Sequence, residues 1–81
     1  MTQLVRSPKQ LGTLIHNARI SRNLTQQALA DLVGTGQKTV SRIESGDVDH
    51  TQVDTLRRYA EALGGTLRVE VEIDGSSFQI A

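Results

Sequence analysis

Hydrophobic residues recur every three or four positions through most of the chain, which is the spacing of one face of an α-helix. Leu11 and Ile15 belong to a first such face, and we predict a helix over residues 8–22. Ser7 and Pro8 form its start, because serine accepts hydrogen bonds from the first free amides and proline suits the first helical position. The pattern therefore predicts a capped helix near the N-terminus.

Two shorter helices are predicted next, over residues 26–33 and 37–45, with Thr25 as the N-cap of the first of them. The segment 34–36 reads Gly-Thr-Gly, and glycine tolerates the left-handed backbone that ends a helix and turns the chain. Two short helices joined by a tight glycine-containing turn form a helix-turn-helix. The inner faces of the two helices are predicted to carry Ala28, Leu29, Leu32, Val33, Val40 and Ile43.

A fourth helix is predicted over residues 52–63, with an apolar face that begins at Val53. Thr51 stands three residues before Asp54, which resembles a capping box with aspartate in place of the usual glutamate. The paired glycines that follow the helix end it, so the fold to this point is entirely helical.

The period then changes from helical spacing to strict alternation, which predicts a half-buried strand over residues 67–73. Asp74 and Gly75 are a turn signal, and residues 76–80 alternate as a second short strand. The expected fold class is mainly α, with four or five helices and a short C-terminal β-strand or hairpin. The apolar face of the first strand carries Leu67, Val69, Val71 and Ile73.

The composition restricts the possible chemistry. With 81 residues the chain is expected to form one small domain, and its only aromatic residues are Tyr59 and Phe78, so the core must be aliphatic. Cysteine is absent, which excludes disulfides and thiolate metal sites. Neither a signal peptide nor a membrane-spanning stretch is evident, so we expect a cytoplasmic, nucleoid-associated protein without a cofactor.

The net charge is zero, but the charges are unevenly distributed. Residues 1–43 hold six basic residues against one acid, a balance of +5, whereas residues 44–81 hold three basic residues against eight acids, a balance of −5. A polarised chain of this kind can present a basic face to a polyanion while the rest of its surface stays acidic.

The third predicted helix has side chains suited to reading DNA. A helix fits the major groove, and small polar residues at its N-terminal end reach the base edges. Glutamine can bond adenine in a bidentate way, and lysine can donate to guanine. The candidate base-reading residues are Gln37, Lys38, Thr39 and Ser41.

The segments 24–30 and 39–46 resemble the Xre/Cro/phage-repressor family of helix-turn-helix proteins. The resemblance implies a compact lambda-repressor-like domain that binds double-stranded DNA as a homodimer on a palindromic operator. It implies that Gln26 holds a phosphate or orients the base-reading side chains, and that Arg42 contacts the DNA backbone. The family commonly has a hydrophobic residue and a serine in the turn, whereas this chain has Thr35 and Gly36, which predicts a weaker core contact and a poorer cap.

The same resemblance implies a structural ion pair between Arg19 in the first helix and Glu44 in the third. The two histidines, His16 and His50, lie far apart in sequence without ligand spacing, so surface roles are expected for both. Glu70 and Glu72 are expected on a solvated strand face.

The residues on either side of the helix-turn-helix motif resemble a narrower group, the HipB-type antitoxins. The resemblance is carried by residues 7–11 before the first helix and by the strand 67–73 directly after the fourth. This resemblance implies dimerisation by C-terminal strands, repression of the protein's own operon and binding of a HipA-type kinase toxin. A lone strand with one apolar face also needs a partner on physical grounds, either its own continuation at 76–80 or the same strand in a second subunit. We favour both pairings together.

The expected organisation is a DNA-binding domain over residues 1–64 and a dimerisation segment over residues 65–81. A regulator without a toxin and a protein-interaction module on the same scaffold are the alternatives. The polar surface of the third helix argues against the interaction module, which would favour aromatic anchors. No combination of residues supports an enzyme.

Overall fold

Four helices followed by a β-hairpin make up the protein, as a computed structural model of residues 7–48 and 51–80 shows. This confirms the predicted fold class. Arg6, Asp49 and His50 lie outside the described residues. The elements are α1 (Pro8–Ser21), α2 (Gln26–Val33), α3 (Gln37–Glu44), α4 (Val53–Ala62), β1 (Glu70–Ile73) and β2 (Ser76–Gln79).

The predicted starts of the first two helices are confirmed by their N-caps. The Ser7 hydroxyl accepts a hydrogen bond from the Gln10 amide at 3.2 Å, and the Thr25 hydroxyl accepts one from the Ala28 amide at 3.0 Å. Gly34 ends α2 in the left-handed conformation, with φ of 83°, which a residue with a side chain adopts only at a cost. The turn after α2 therefore requires this glycine.

The predicted capping box of the fourth helix is wrong. Helix α4 begins at Val53, its N-cap is Gln52, and no side chain caps it. Thr51 stands one residue too early to act as the cap, and its buried hydroxyl has no hydrogen-bond partner among the described residues. Asp54 instead pairs with Arg58 one turn later, with 2.6 Å between carboxylate and guanidinium. An acid in the first turn also favours the helix dipole.

The helices enclose a small aliphatic core around one aromatic ring. Helix α3 packs on α1 and α2, and α4 packs on α2. Two residues predicted to face inward do not, since Leu32 is 62 % exposed and Val53 is 41 % exposed. Only one side of the short helix α2 is covered by neighbouring helices, and Leu32 lies on the uncovered side. The buried core consists of Ile15, Leu29, Ala30, Val33, Val40, Ile43, Tyr59 and Leu63.

The C-terminal hairpin is antiparallel, with Val71 opposite Phe78. Asp74 and Gly75 both have positive φ, at 51° and 79°, as a type I′ hairpin turn requires. The first strand is shorter than predicted and begins at Glu70 rather than at residue 67. Its length is limited by its four-residue partner, beyond which one further bond joins the Ile80 amide to the Val69 carbonyl at 2.8 Å.

Across residues 7–48 and 51–80, no helix is long and apolar enough to span a membrane.

Candidate DNA-binding surface

Helix α3 is held by its apolar face and exposes its polar one. Val40 and Ile43 are completely buried against the neighbouring helices. The predicted base-reading residues lie on the remaining surface, where Gln37, Lys38 and Ser41 are exposed and Thr39 is half-buried. The helix therefore has a fixed position in the domain, and its free side is lined by hydrogen-bonding groups.

Two of the predicted DNA-contacting residues are joined across the turn. Gln26 and Gln37 are the first residues of α2 and α3, and the Gln37 amide nitrogen donates to the Gln26 amide oxygen at 3.1 Å. The N-terminal ends of both helices therefore form one continuous polar surface.

Arg42 extends this surface toward the C-terminal end of α3. Its side chain is half-exposed, and its Nε lies 3.9 Å from a carboxylate oxygen of Asp47, which is also exposed. An exposed pair at this distance is weak. The guanidinium therefore remains accessible to an anion such as a phosphate.

The predicted ion pair between Arg19 and Glu44 is confirmed, and it is buried. Arg19 Nε donates to Glu44 Oε2 at 2.7 Å, Arg19 Nη2 donates to Oε1 at 3.1 Å, and both side chains are less than a tenth exposed. Burial alone would raise the pKa of Glu44, but hydrogen bonds from Arg19, His16 and Gln26 lower it below the ordinary value of 4.5. The hydrogen bond to Glu44 raises the pKa of Arg19. The pair fixes the end of α3 to α1 as two full charges.

His16 is a member of this cluster that the sequence reasoning missed. Its Nδ1 lies 2.8 Å from Glu44 Oε1, while its side chain stays about half-exposed. The available signal was spacing, because His16 precedes Arg19 by three residues and therefore lies on the same side of α1. A carboxylate that meets Arg19 is within reach of that histidine as well.

The turn between α2 and α3 departs from the family pattern at Thr35 and Gly36. Gly36 is the N-cap of α3 and provides no side-chain hydrogen bond, as predicted. Its φ of −96° is available to any residue, and an added Cβ would meet nothing within 4 Å. The backbone at position 36 therefore does not require glycine. Thr35 is half-buried.

The predicted dimer residues divide between the hairpin and the segment before it: Val71 and Ile73, two residues apart in β1, share its apolar face, whereas Leu67 and Val69 precede the strand. Leu67, Val69 and Val71 are half-buried, whereas Ile73 is 62 % exposed. The second strand adds to the same face, because Phe78 pairs with Val71 and is 64 % exposed. The opposite face carries Glu70, Glu72 and Ser77, all exposed, as expected for the acidic residues.

Within the part of the chain that the structure describes, no group of three histidine, aspartate or glutamate residues is arranged to hold a metal ion.

Comparison with known proteins shows the family to which the chain is similar. A family model described as "Helix-turn-helix" matches residues 15–69. A protein of Mycobacterium tuberculosis (strain ATCC 25618 / H37Rv) described as an antitoxin, HigA2, is 40 % identical over 67 residues. The match covers 83 % of this chain and 66 % of that protein, so the chain spans just under two thirds of its relative.

Among solved structures, HipB in the HipA-HipB-O2-O3 complex matches with a TM-score of 0.72 and 28 % identity, over 84 % of this chain and 94 % of that one. Neither the family model nor HigA2 is described as an enzyme. The structure of apo-HppE matches with a TM-score of 0.69 and 26 % identity, over 75 % of this chain but only 34 % of that one. That likeness is confined to one part of the larger chain.

Proposed function

Because the chain belongs to the helix-turn-helix family, we propose that it is a sequence-specific DNA-binding repressor of the antitoxin type. The observation that carries this proposal is the placement of α3. Its apolar residues are completely buried and its polar residues Gln37, Lys38 and Ser41 face outward. A helix held in this way can enter the major groove without rearrangement of the domain.

In the proposed complex the side chains of α3 have two kinds of contact. Gln37, Lys38, Thr39 and Ser41 contact base edges, which carry the sequence information. Arg42 contacts phosphate, and Gln26 supports Gln37 from the start of α2. Phosphate contacts supply most of the affinity and position the helix.

The proposed repressor acts as a homodimer that uses the hairpin as its interface. Helices α1 to α4 pack on one another, and the hairpin strands pack mainly on each other. An isolated two-stranded hairpin is marginal in water, and its apolar face exposes Ile73, Phe78 and Ile80 by more than 60 % each. A second hairpin would cover this face, and a two-fold dimer matches a palindromic operator.

The antitoxin role rests on the relatives. HigA2 is described as an antitoxin, and HipB is found with HipA in the matching complex. On this basis we propose that the chain represses its own operon and binds a toxin, with a HipA-type kinase as one candidate. Co-purification of a second protein from the native host tests this part, and recovery of the chain alone would contradict it.

Binding to the DNA upstream of its own gene tests the central proposal. In a fluorescence-anisotropy titration, we expect that duplex to bind more tightly than a random duplex of equal length. The affinity should fall by about a thousandfold or more between about 50 and 200 mM salt if the dimer has six or more phosphate contacts. Equal affinity for both duplexes, or no binding at low salt, would contradict a specific repressor.

A further inference from the structure

Glu44 is the centre of a hydrogen-bond network that extends from the core to the DNA-binding surface. Its side chain is only 5 % exposed. Besides the two bonds from Arg19 and the one from His16, Oε1 accepts a bond from Gln26 Nε2 at 3.4 Å. Gln26 therefore connects a buried carboxylate to Gln37, whose side chain is exposed.

This connection fixes the orientation of the Gln26 amide, that is, the positions of its oxygen and its nitrogen. A glutamine amide has an acceptor oxygen and a donor nitrogen of nearly the same shape, so it can turn over with little steric cost. An ionised carboxylate only accepts hydrogen bonds, so the group of Gln26 that meets Glu44 must be its NH₂. The Gln26 oxygen is then directed toward Gln37.

The same reasoning fixes the amide of Gln37. The Gln26 oxygen can only accept, so Gln37 turns its NH₂ toward it, as the 3.1 Å bond shows. One N–H and the oxygen of Gln37 are left for a ligand, as a donor and an acceptor side by side. Adenine offers the complementary pair in the major groove, an N7 acceptor beside an N6 donor, whereas guanine offers two acceptors.

We propose that Glu44 is a positioning residue for base specificity, which sets the amide orientation of Gln26 and through it makes Gln37 select adenine. This inference rests on the proposed function, because it assumes that α3 reads DNA. It assigns specificity to a buried side chain that does not itself contact the DNA.

Selection of binding sites from a randomised duplex library tests the proposal. Wild type should yield a consensus site, and Gln37→Ala should lose the preference at one base position of each half-site, which identifies the base that Gln37 reads. We expect that base to be adenine. Gln26→Ala removes the connection but leaves the ion pair of Arg19 and Glu44 intact. It should reduce the adenine preference at that position by about tenfold, because Gln37 keeps its amide but loses the bond that orients its donor and acceptor.

Glu44 itself is tested by two variants and a control at position 27. Glu44→Gln replaces the carboxylate, which only accepts hydrogen bonds, by an amide, and Glu44→Asp keeps the charge but draws the carboxylate back from Gln26 by one methylene group. Circular dichroism identifies which of them fold. A folded variant should lose the adenine preference at the position that Gln37 reads, and the base preferences at the other positions of the site should not change. Gln27→Ala makes the same chemical change at an exposed neighbour that bonds to Asp31, and it should leave every base preference unchanged.

Each contrary outcome has a distinct meaning. If a folded Glu44 variant or Gln26→Ala keeps the adenine preference, the positioning role is wrong. A base other than adenine opposite Gln37 in wild type also overturns it. If wild type selects no consensus at all, the proposed repressor function fails, and the inference fails with it.

Discussion

Gly12 of α1 lies directly against the backbone of Ile43 near the end of α3. A Cβ atom built on Gly12 would lie 2.7 Å from the Ile43 carbonyl oxygen and 2.8 Å from the Glu44 carbonyl carbon, closer than such atoms approach in proteins. Gly12 is also buried, and it lies one helical turn before His16. The two helices can therefore approach closely enough for Arg19 and Glu44 to meet only because this side chain is absent.

Gly12→Ala should destabilise the domain by about 1–3 kcal/mol, because the added methyl group forces α1 and α3 apart. The loss should appear even though alanine favours a helix over glycine by about 1 kcal/mol. Urea denaturation followed by circular dichroism measures it. Asn17→Ala, at an exposed position of the same helix, is the control and should be neutral or slightly stabilising. Equal stability of Gly12→Ala and wild type would show that the contact is relieved without cost.

Arg19→Ala should cost about 3–5 kcal/mol, because it leaves Glu44 buried without its main counter-charge. Asp54→Asn breaks the exposed pair with Arg58 and should cost about 0–1 kcal/mol. Urea midpoints of both variants measure the difference. If the two losses are equally small, the buried pair does not hold α3 in place.

The stability that Glu44 contributes should disappear in acid. Its pKa is lowered in the folded protein, so the contribution is fully present above the ordinary value of 4.5 and is lost as the pH falls through the folded value. The difference in unfolding free energy between wild type and Glu44→Gln should therefore be largest near neutral pH and should shrink below pH 4.5. Denaturation from about pH 7 to about pH 3 measures it. A difference independent of pH would contradict an ionised, hydrogen-bonded Glu44.

Local patterns in the sequence predict much of this fold. Helix α2 has the predicted ends because Thr25 caps it and Gly34 closes it, and both signals act within a few residues. The Asp74-Gly75 turn is likewise a local property, since both residues must adopt positive φ. The predicted boundaries are wrong where no local signal decides them, as at the start of α4, whose N-cap Gln52 provides no side-chain hydrogen bond.

The connections within the site depend on packing between helices, which periodicity does not reveal. Spacing places Gln26 and Gln37 at the starts of two helices, but only the crossing of α2 and α3 brings their amides within 3.1 Å. Similarly, His16 lies close to Glu44 because Gly12 lets α1 approach the end of α3. Leu32 shows the converse, an apolar residue at helical spacing that no neighbouring helix covers.

Lys38→Ala should weaken binding to the specific duplex by about 1–3 kcal/mol, because a base contact is lost. Its effect on the affinity for a random duplex should be far smaller. Arg42→Ala should weaken both duplexes alike and should make the affinity less steeply dependent on salt, because a phosphate contact is lost. Anisotropy titrations of the two variants on both duplexes separate these roles. Equal losses for Lys38→Ala on specific and random DNA would assign Lys38 to the phosphate backbone instead.

Phe78→Lys should dissociate the proposed dimer, because a charge is placed on the apolar face of the hairpin, where Phe78 lies opposite Val71. Val71→Lys should have the same effect from the first strand. Ser77→Lys is the matched control, since it introduces the same charge one residue away on the opposite face of the hairpin. It should leave the dimer intact.

Sedimentation equilibrium distinguishes the possible outcomes of these hairpin variants. Wild type and Ser77→Lys should sediment as dimers and Phe78→Lys as a monomer. The monomer should keep its helical circular dichroism, because the helical core does not include residues of the hairpin. It should also lose affinity for a palindromic duplex far more than for a single half-site, since only the dimer engages both half-sites at once. A dimeric Phe78→Lys variant would mean that another surface joins the two subunits.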